Sequence, residues 1–430
     1  MLSARKKRTA AIAVVLAGTM VVAACGGSSE SDENGKTTVS ISLFGTFGYD
    51  EVGLFDAYMK QNPDIEIDYQ STQGEDKYWP ALQTKLNSGS GLADVQGIEV
   101  ARIAEATQNQ SDKWSDLSDT AAAKNLDLYP AWKSDAATTD DGKVIGMGTD
   151  IGPMALCYRS DLYEQAGLPS APAELSKRVG SWDDLLALGE EYQQNAPSDS
   201  AFLDSAGGLY NAIISTESTI YYDDEGELVY DSNDAVRNAF DLAASAGESG
   251  LTAGLEQFLD ASWDKGFATG SFATIACPSW MVGYIKGKAG DDGKGKWNVM
   301  SLPGGAGGNW GGSYLAIPEA SDNKEEAADL IAWLTDAKQQ AKVFSEVGNF
   351  PSNTDAMAQV VDVKDEYFNN APIGKIFSKS AQSAPTQILG PLDGAIKNAM
   401  VQALLSVETG DVSADDAWEQ AASTVDNQVG

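Results

Sequence analysis

Residues 39–69 read VSISLFGTFGYDEVGLFDAYMKQNPDIEIDY. Within them Val39, Ile41 and Leu43 alternate with Ser40 and Ser42, the two-residue period of a strand with one face on a core. A glycine-containing loop, 45–49, follows. Residues 52–61 carry apolar side chains at helical spacing and stop at Asn62-Pro63, where proline cannot continue a helix. Ile65, Ile67 and Tyr69 then alternate with Glu66 and Asp68 as a second strand. Strand, helix and strand in this order define an α/β unit.

Working outward, the same grammar continues. Residues 79–86 read as a helix and 93–98 as a third strand, and alternation of this kind predicts a mostly parallel sheet. Ser181 with Asp184 three residues on is a helix start, for a helix to about residue 194. Residues 324–347 place Ala327, Leu330, Ile331, Leu334, Val343, Phe344 and Val347 near helical spacing, which predicts one long amphipathic helix. Ser413 with Asp416 opens a last helix through Trp418 and Val425. Beyond a short polar stretch near the N-terminus there is no repeat and no linker that cuts the chain into consecutive domains. The fold class expected is therefore α/β.

The N-terminus carries Arg5-Lys6-Lys7-Arg8, then an uncharged, small and apolar run over 10–24. That is the layout of a secretory signal peptide. It ends in Val22-Ala23-Ala24-Cys25, the lipobox pattern, in which the cysteine takes a lipid and becomes the first mature residue. Residues 26–35 contain no apolar side chain and read as a flexible tether. No other run approaches the roughly 18 apolar residues of a membrane span.

Composition excludes several chemistries. The formal net charge of the 430-residue chain is −34; without residues 1–24, which carry four basic and no acidic side chains, it is more negative still. Such a surface repels nucleic acid and anionic lipid. There is no histidine, so Ser-His-Asp and Cys-His nucleophiles and HExxH zinc sites are out. No GxxxxGK[ST] loop occurs, and the glycines of 304–308 lead to Trp310, not to a phosphate-binding lysine. Neither a cofactor nor a metal site is indicated. Besides Cys25 there are Cys157 and Cys277, both in apolar strand-like runs. In an oxidising compartment they form a disulfide or sit as two small buried side chains.

Several segments resemble, in order and spacing, the extracellular solute-binding family typified by maltose-binding protein. Residues 141–150, DGKVIGMGTD, running on to Leu156-Cys157-Tyr158-Arg159, resemble its "DGK-x-YG-x-P" turn and the strand ending in "YN", with Met147-Gly148 and Arg159 as departures. Residues 161–169, DLYEQAGLP, resemble "D-L-[FY]-x-x-AGLP". Ser181-Trp182-Asp183-Asp184-Leu185 resembles "[ST]W-[DE]-[DE]-[LF]". Phe267 to Gly270 with Ser279-Trp280 resembles "F-x-x-G…G-x-W". Residues 312–318, GSYLAIP, resemble "GG-x-x-[LW]-[AG]-I", and Ala327-Ala328 with Trp333-Leu334 the helix after it. Residues 88–95, SGSGLADV, resemble "SG-x-x-PDV", with Ala93 in place of proline.

The resemblance implies a two-lobed periplasmic-binding-protein fold of type II kind, with a hinge crossed three times, near Asp150, near Tyr314 and near residues 349–351. After a signal peptide over 1–24 and a tether over 25–37, the lobes are 38–150 with 315–348, and 151–314 with 349–430. It further implies a lipid-anchored extracellular receptor, on the outer face of the bacterial cell membrane, that closes around a small oligosaccharide and delivers it to the transmembrane permease of an ABC importer. It implies a monomer with no nucleic-acid partner and no catalysis.

A sugar presents C–H faces to aromatic rings and hydroxyls to carboxylates and amides. Trp280 stands where the family places a sugar-stacking tryptophan; a core tryptophan is the other reading. Trp310 lies in a glycine-rich loop that cannot bury an indole by itself. Phe47 and Tyr49 occupy the loop after the first strand. Glu99 follows the third strand, and Asp150, Tyr314 and Asn349 lie at the crossings. Asp94 reads as structural, bonding the start of its strand. A polyamine or a glycerol phosphate is the alternative ligand; only Arg102 brings positive charge near this set, which speaks against the phosphate. An acidic glycosidase, which needs no histidine, and a structural lipoprotein are the competing classes.

Overall fold

The structure is a computed structural model that describes residues 35–429. The expected signal peptide, Cys25 and most of the expected tether lie outside the described residues. β1 (Thr37–Phe44), β2 (Ile65–Thr72), β3 (Val95–Glu99) and β4 (Gly146–Gly148) belong to a first sheet. β5 (Asp150–Ile151) follows at once, and β6 (Met154–Arg159), β7 (Ala201–Leu203), β8 (Phe272–Pro278) and β9 (Trp297–Met300) build a second sheet. β10 (Ser313–Ala316) returns to the first sheet, giving the order β2-β1-β3-β10-β4, against β7-β8-β6-β9 in the second. β11 (Phe350–Pro351) pairs with β5 outside both sheets.

The chain thus passes between the sheets three times: through β5, through the segment between β9 and β10, and at β11. Side chains on both faces of each sheet are buried: Val39, Ile41, Leu43 and Leu315 on one face of the first, Ile98, Tyr314 and Ala316 on the other. The second sheet divides likewise, Leu156 and Met300 against Cys157, Ile275 and Val299. Each lobe is a sheet between two helical layers.

The first three strands form as the sequence alternation predicts, and β1 pairs in parallel with both β2 and β3. The expected mostly parallel sheet is corrected: β10 runs antiparallel to β3 and β4, and β6 antiparallel to β8 and β9. The reason is the route of the chain. A strand delivered by a crossover helix starts at the far end of its lobe and runs toward the hinge. β6 and β10 are delivered by the hinge itself, so they start there and run away from it.

A second correction concerns residues 324–347, which form two helices, Lys324–Leu334 and Ala337–Val347. At the break, Thr335 turns its hydroxyl back onto Ile331 O at 2.8 Å, and Asp336 caps the second helix by accepting from Lys338 N at 3.0 Å. Short polar side chains that bond the local backbone compete with helix continuation. The helix after Ser181 and the last helix start as expected, with Ser181 Oγ accepting from Asp184 N and Ser413 Oγ from Asp416 N.

Cys157 on β6 and Cys277 on β8 are joined in a disulfide between neighbouring antiparallel strands, both thiols buried. Asp94 is structural: its carboxylate accepts from Ser40 N, Ser40 Oγ and Ser321 Oγ, tying β1 to the approach of β3.

Candidate ligand-binding site

The C-terminal end of β3, the C-terminal end of β4 and the N-terminal end of β10 meet at the hinge edge of the first sheet, where Ser313 pairs with Glu99 and Tyr314 with Gly148. Chemistry-bearing side chains collect there. Glu99 closes β3 and caps the short helix after it, accepting from Ala101 N at 2.8 Å. Asp150 is buried and accepts from Thr149 Oγ1 at 2.6 Å and Ser313 N at 3.0 Å, so its carboxylate joins the first two crossings. Burial raises its pKa, and Lys133 opposes that rise.

Lys133 is the residue that sequence reasoning missed most completely. It is 1% exposed, and its ammonium sits 3.7 Å from the centre of the Tyr314 ring, a cation–π contact, with no hydrogen-bond partner among the described residues. Burial pushes its pKa down to about 7 against the pull of Asp150 and Glu99. Nothing in a single lysine between Trp132 and Ser134 signals this.

The titration has a signed consequence. Between about 7 and the unfolded value near 10.4, the folded chain releases this proton and the unfolded chain keeps it. Stability therefore rises with pH in that window, by up to about 1.4 kcal/mol per unit. Urea midpoints measured at pH 7, 8 and 9 are expected to climb in the wild type relative to Lys133→Met. Parallel pH profiles for the two proteins would exclude a neutralised lysine.

The second lobe contributes the aromatic part. Trp280 follows β8 and is half-buried; its indole N–H donates to Trp310 O at 3.1 Å, and the rings stand edge to face at 5.8 Å. Trp310 is also half-buried, and its backbone N–H donates to Gly152 O at 2.8 Å. The two crossing segments approach so closely that a Cβ on Gly152 would lie 1.8 Å from Trp310 O, which only glycine allows. A Cβ on Gly311 would meet Trp280 Nε1 at 3.0 Å and Glu99 Oε1 at 3.9 Å. Glu99 of the first lobe and Trp280 of the second thus flank one point of the chain.

The remaining expected residues divide. Phe47, Tyr49, Asp150 and Asn349 line one small internal cavity with Thr149, Gln340 and Val343; at about 10 Å³ it has room for about one water. Phe47 and Tyr49 are buried, and Asn349 ties the third crossing to the loop after β1 through Nδ2 to Thr46 O at 2.9 Å. Tyr314 is fully buried beneath Lys133. So Glu99, Trp280 and Trp310 come together at the lobe junction, while the other five are built into the hinge.

Across the junction, the helix Asp393–Glu408 of the second lobe lies on the segment after β3. Lys397 Nζ stands 3.9 Å from Glu99 Oε2, and a Cβ on Gly394 would meet the Arg102 guanidinium at 2.5 Å. Arg102 Nε is bonded to Glu75 at 3.0 Å. Asp393 is buried, accepts from Gly390 N, and has its pKa lifted by burial to about 7. Sequence reading did not find Lys397 or Asp393; their spacing of four on a helix is ordinary, and only the lobe packing puts them against Glu99. Asp150 faces Lys133, Glu99 stands near Lys397 and Glu75 pairs with Arg102, while Asp393 shares Lys397 with Glu99 and keeps Oδ1 without a hydrogen-bond partner among the described residues. No group of three or more metal-ligating side chains occurs among the described residues.

Two mixed α/β lobes that share only a three-segment hinge, with aromatic and polar side chains meeting at their junction, define a hinge-closing ligand receptor. The profile of bacterial extracellular solute-binding proteins matches residues 53–371, and the chain belongs to that family. The crystal structure of an extracellular solute-binding protein family 1 member is 40% identical, with a TM-score of 0.77, covering 91% of this chain and 100% of that one. The binding protein associated with an ABC transporter of B. animalis subsp. lactis Bl-04, in complex with β-1,6-galactobiose, shares the fold at 18% identity and a TM-score of 0.77, covering 91% and 97%. A lactose-binding protein of Rhizobium radiobacter is 24% identical over 358 residues, 80% of this chain and 81% of its own. The family and these neighbours are binding proteins rather than enzymes.

Proposed function

We propose that this protein captures a small, uncharged oligosaccharide at the lobe junction and presents it, lobes closed, to the permease of an ABC importer. The observation that carries the reading is the Trp280–Trp310 corner beside Glu99, a carboxylate that already has Lys397 within 3.9 Å. Aromatic faces with hydrogen-bonding groups suit a neutral polyol. A polyamine would need unmatched carboxylates and a glycerol phosphate unmatched cations. A relative named for lactose and a neighbour bound to galactobiose support the same class.

Ligand that touches both lobes stabilises the closed arrangement by its differential contact with it. The lipobox at Val22-Ala23-Ala24-Cys25 supports anchoring of the receptor at the outer membrane face through a lipid on Cys25. We take the lobes as 38–150 with 315–348, and 151–314 with 349–430, and the receptor as a monomer that performs no catalysis.

A thermal-shift screen of the chain lacking residues 1–25 tests this. A matching di- or trisaccharide at a hundred times its Kd stabilises by about 2.7 kcal/mol and raises Tm; spermidine and glycerol 3-phosphate are expected to leave Tm unchanged. A shift with spermidine alone refutes the neutral-ligand reading, and release of monosaccharide during incubation refutes the non-catalytic one.

A further inference from the structure

Among the described residues, four that are not glycine adopt a left-handed backbone: Asp199, Phe258, Asn369 and Asn370. Asp and Asn tolerate that conformation, because their short polar side chains bond nearby backbone. Phenylalanine does not, and a bulky residue at φ 67° persists only where its surroundings over-determine it.

The surroundings of Phe258 do so from both sides. Immediately before it, Gln257 Nε2 donates to Asp204 Oδ2 at 2.6 Å; two residues after it, Asp260 caps the next helix by accepting from Ser262 N at 2.6 Å. The ring is then wedged among aromatics. It stands edge to face with Trp263 at 4.8 Å and with Tyr284 at 5.8 Å. Those two are themselves fixed, Trp263 Nε1 by Asp204 Oδ2 at 2.8 Å and Tyr284 OH by Asp264 Oδ1 at 2.6 Å. On its remaining side Phe258 meets Trp280, ring centres 6.1 Å apart.

Trp280 is therefore gripped between Phe258 and Trp310, whose carbonyl takes its N–H. We infer that Phe258 is a positioning residue for Trp280: the strained backbone carries the ring that fixes the indole's orientation before any ligand arrives. A stacking platform must be held to within about 0.5 Å and 10–20° to bind without an ordering cost. The consequence for affinity rests on the oligosaccharide reading; the positioning itself does not.

The test uses 5-fluorotryptophan in the chain lacking residues 1–25. The sequence has ten tryptophans, and the Trp280→Phe variant assigns the Trp280 fluorine resonance. In Phe258→Gly, which removes the ring and relieves the left-handed backbone, that resonance is expected to shift and broaden while those of Trp114 and Trp418 stay put. Phe258→Tyr keeps the ring and is expected to restore it. Affinity for the tightest disaccharide in the screen is expected to fall about tenfold in Phe258→Gly and to recover in Phe258→Tyr. Phe258→Leu, apolar but ringless, serves the same comparison if the glycine variant does not fold. A Trp280 resonance unchanged in position and width overturns the inference even if sugars bind. Absence of any saccharide binding by the wild type overturns the oligosaccharide reading and leaves the fluorine result to decide Phe258.

Discussion

Trp280→Ala is expected to cut the saccharide-dependent rise in melting temperature sharply while leaving the protein folded and cooperative. The indole is half-buried at the junction, between Phe258 and Trp310 and at the edge of the second lobe's core. Its removal costs the fold the packing of one half-buried ring at the core's edge, less than the loss of a fully buried side chain. The cost to binding is larger, because a stacking aromatic at the centre of a desolvated contact is the kind of residue whose truncation removes about 2–4 kcal/mol. That is a loss of roughly 30- to 1000-fold in affinity, which at a hundred times the wild-type Kd cuts the stabilisation from about 2.7 kcal/mol to about 0.9 kcal/mol or less. Trp310→Ala should weaken binding less, since the carbonyl that holds Trp280 is backbone and survives the substitution. An undiminished shift in Trp280→Ala would remove this ring from the site and with it the aromatic argument for a sugar.

The largest effect on stability is expected from the disulfide. Cys157 and Cys277 are 120 residues apart in sequence, so the cross-link closes a long loop in the unfolded chain. Loop-closure entropy for that length corresponds to about 4–5 kcal/mol, with measured losses on removal of a native disulfide running about 2–5 kcal/mol. The loop holds β7 and most of β8, so the cross-link restrains much of the second lobe. The Cys157→Ala, Cys277→Ala double variant should unfold at a clearly lower urea concentration, with alanine chosen because a buried serine hydroxyl adds a separate penalty. Equilibrium unfolding of the wild type with dithiothreitol should fall to meet the variant, and the variant should be indifferent to the reductant. Coincident wild-type curves with and without dithiothreitol would mean that the bridge does not form in the protein or does not stabilise it.

The two aromatic residues at the junction were legible because their surroundings in sequence were distinctive. Trp280 ends an apolar strand run, and Trp310 sits among glycines that offer no local cover. Glu99 was legible as the first polar side chain past the third strand. Asp150, Tyr314 and Asn349 were legible as residues of the crossings, and Phe47 and Tyr49 only as residues of the loop after the first strand; the burial of all five was not. Lys133 and Lys397 carried no signal at all. A lysine in an acidic chain reads as solvated, and only the closing of Tyr314 and Gly148 over Lys133, and of one lobe against the other at Lys397, makes them part of the junction. Phe258 was hidden for a different reason: a left-handed backbone at phenylalanine runs against its own preference and is imposed by the residues pinned on either side of it.

Period and punctuation in the chain determined the local elements by themselves: β1 and β2 from alternation, and the helices after Ser181 and Ser413 from their caps. These depend on neighbours within a few residues, whose geometry the sequence states directly. Tertiary structure alone decided that β6 and β10 run against their neighbours, that the two remaining cysteines meet, and that Glu99 and Lys397 come together. Each of these depends on groups far apart in sequence, brought together by a chain that crosses its hinge three times, and a one-dimensional pattern carries no distance across that hinge.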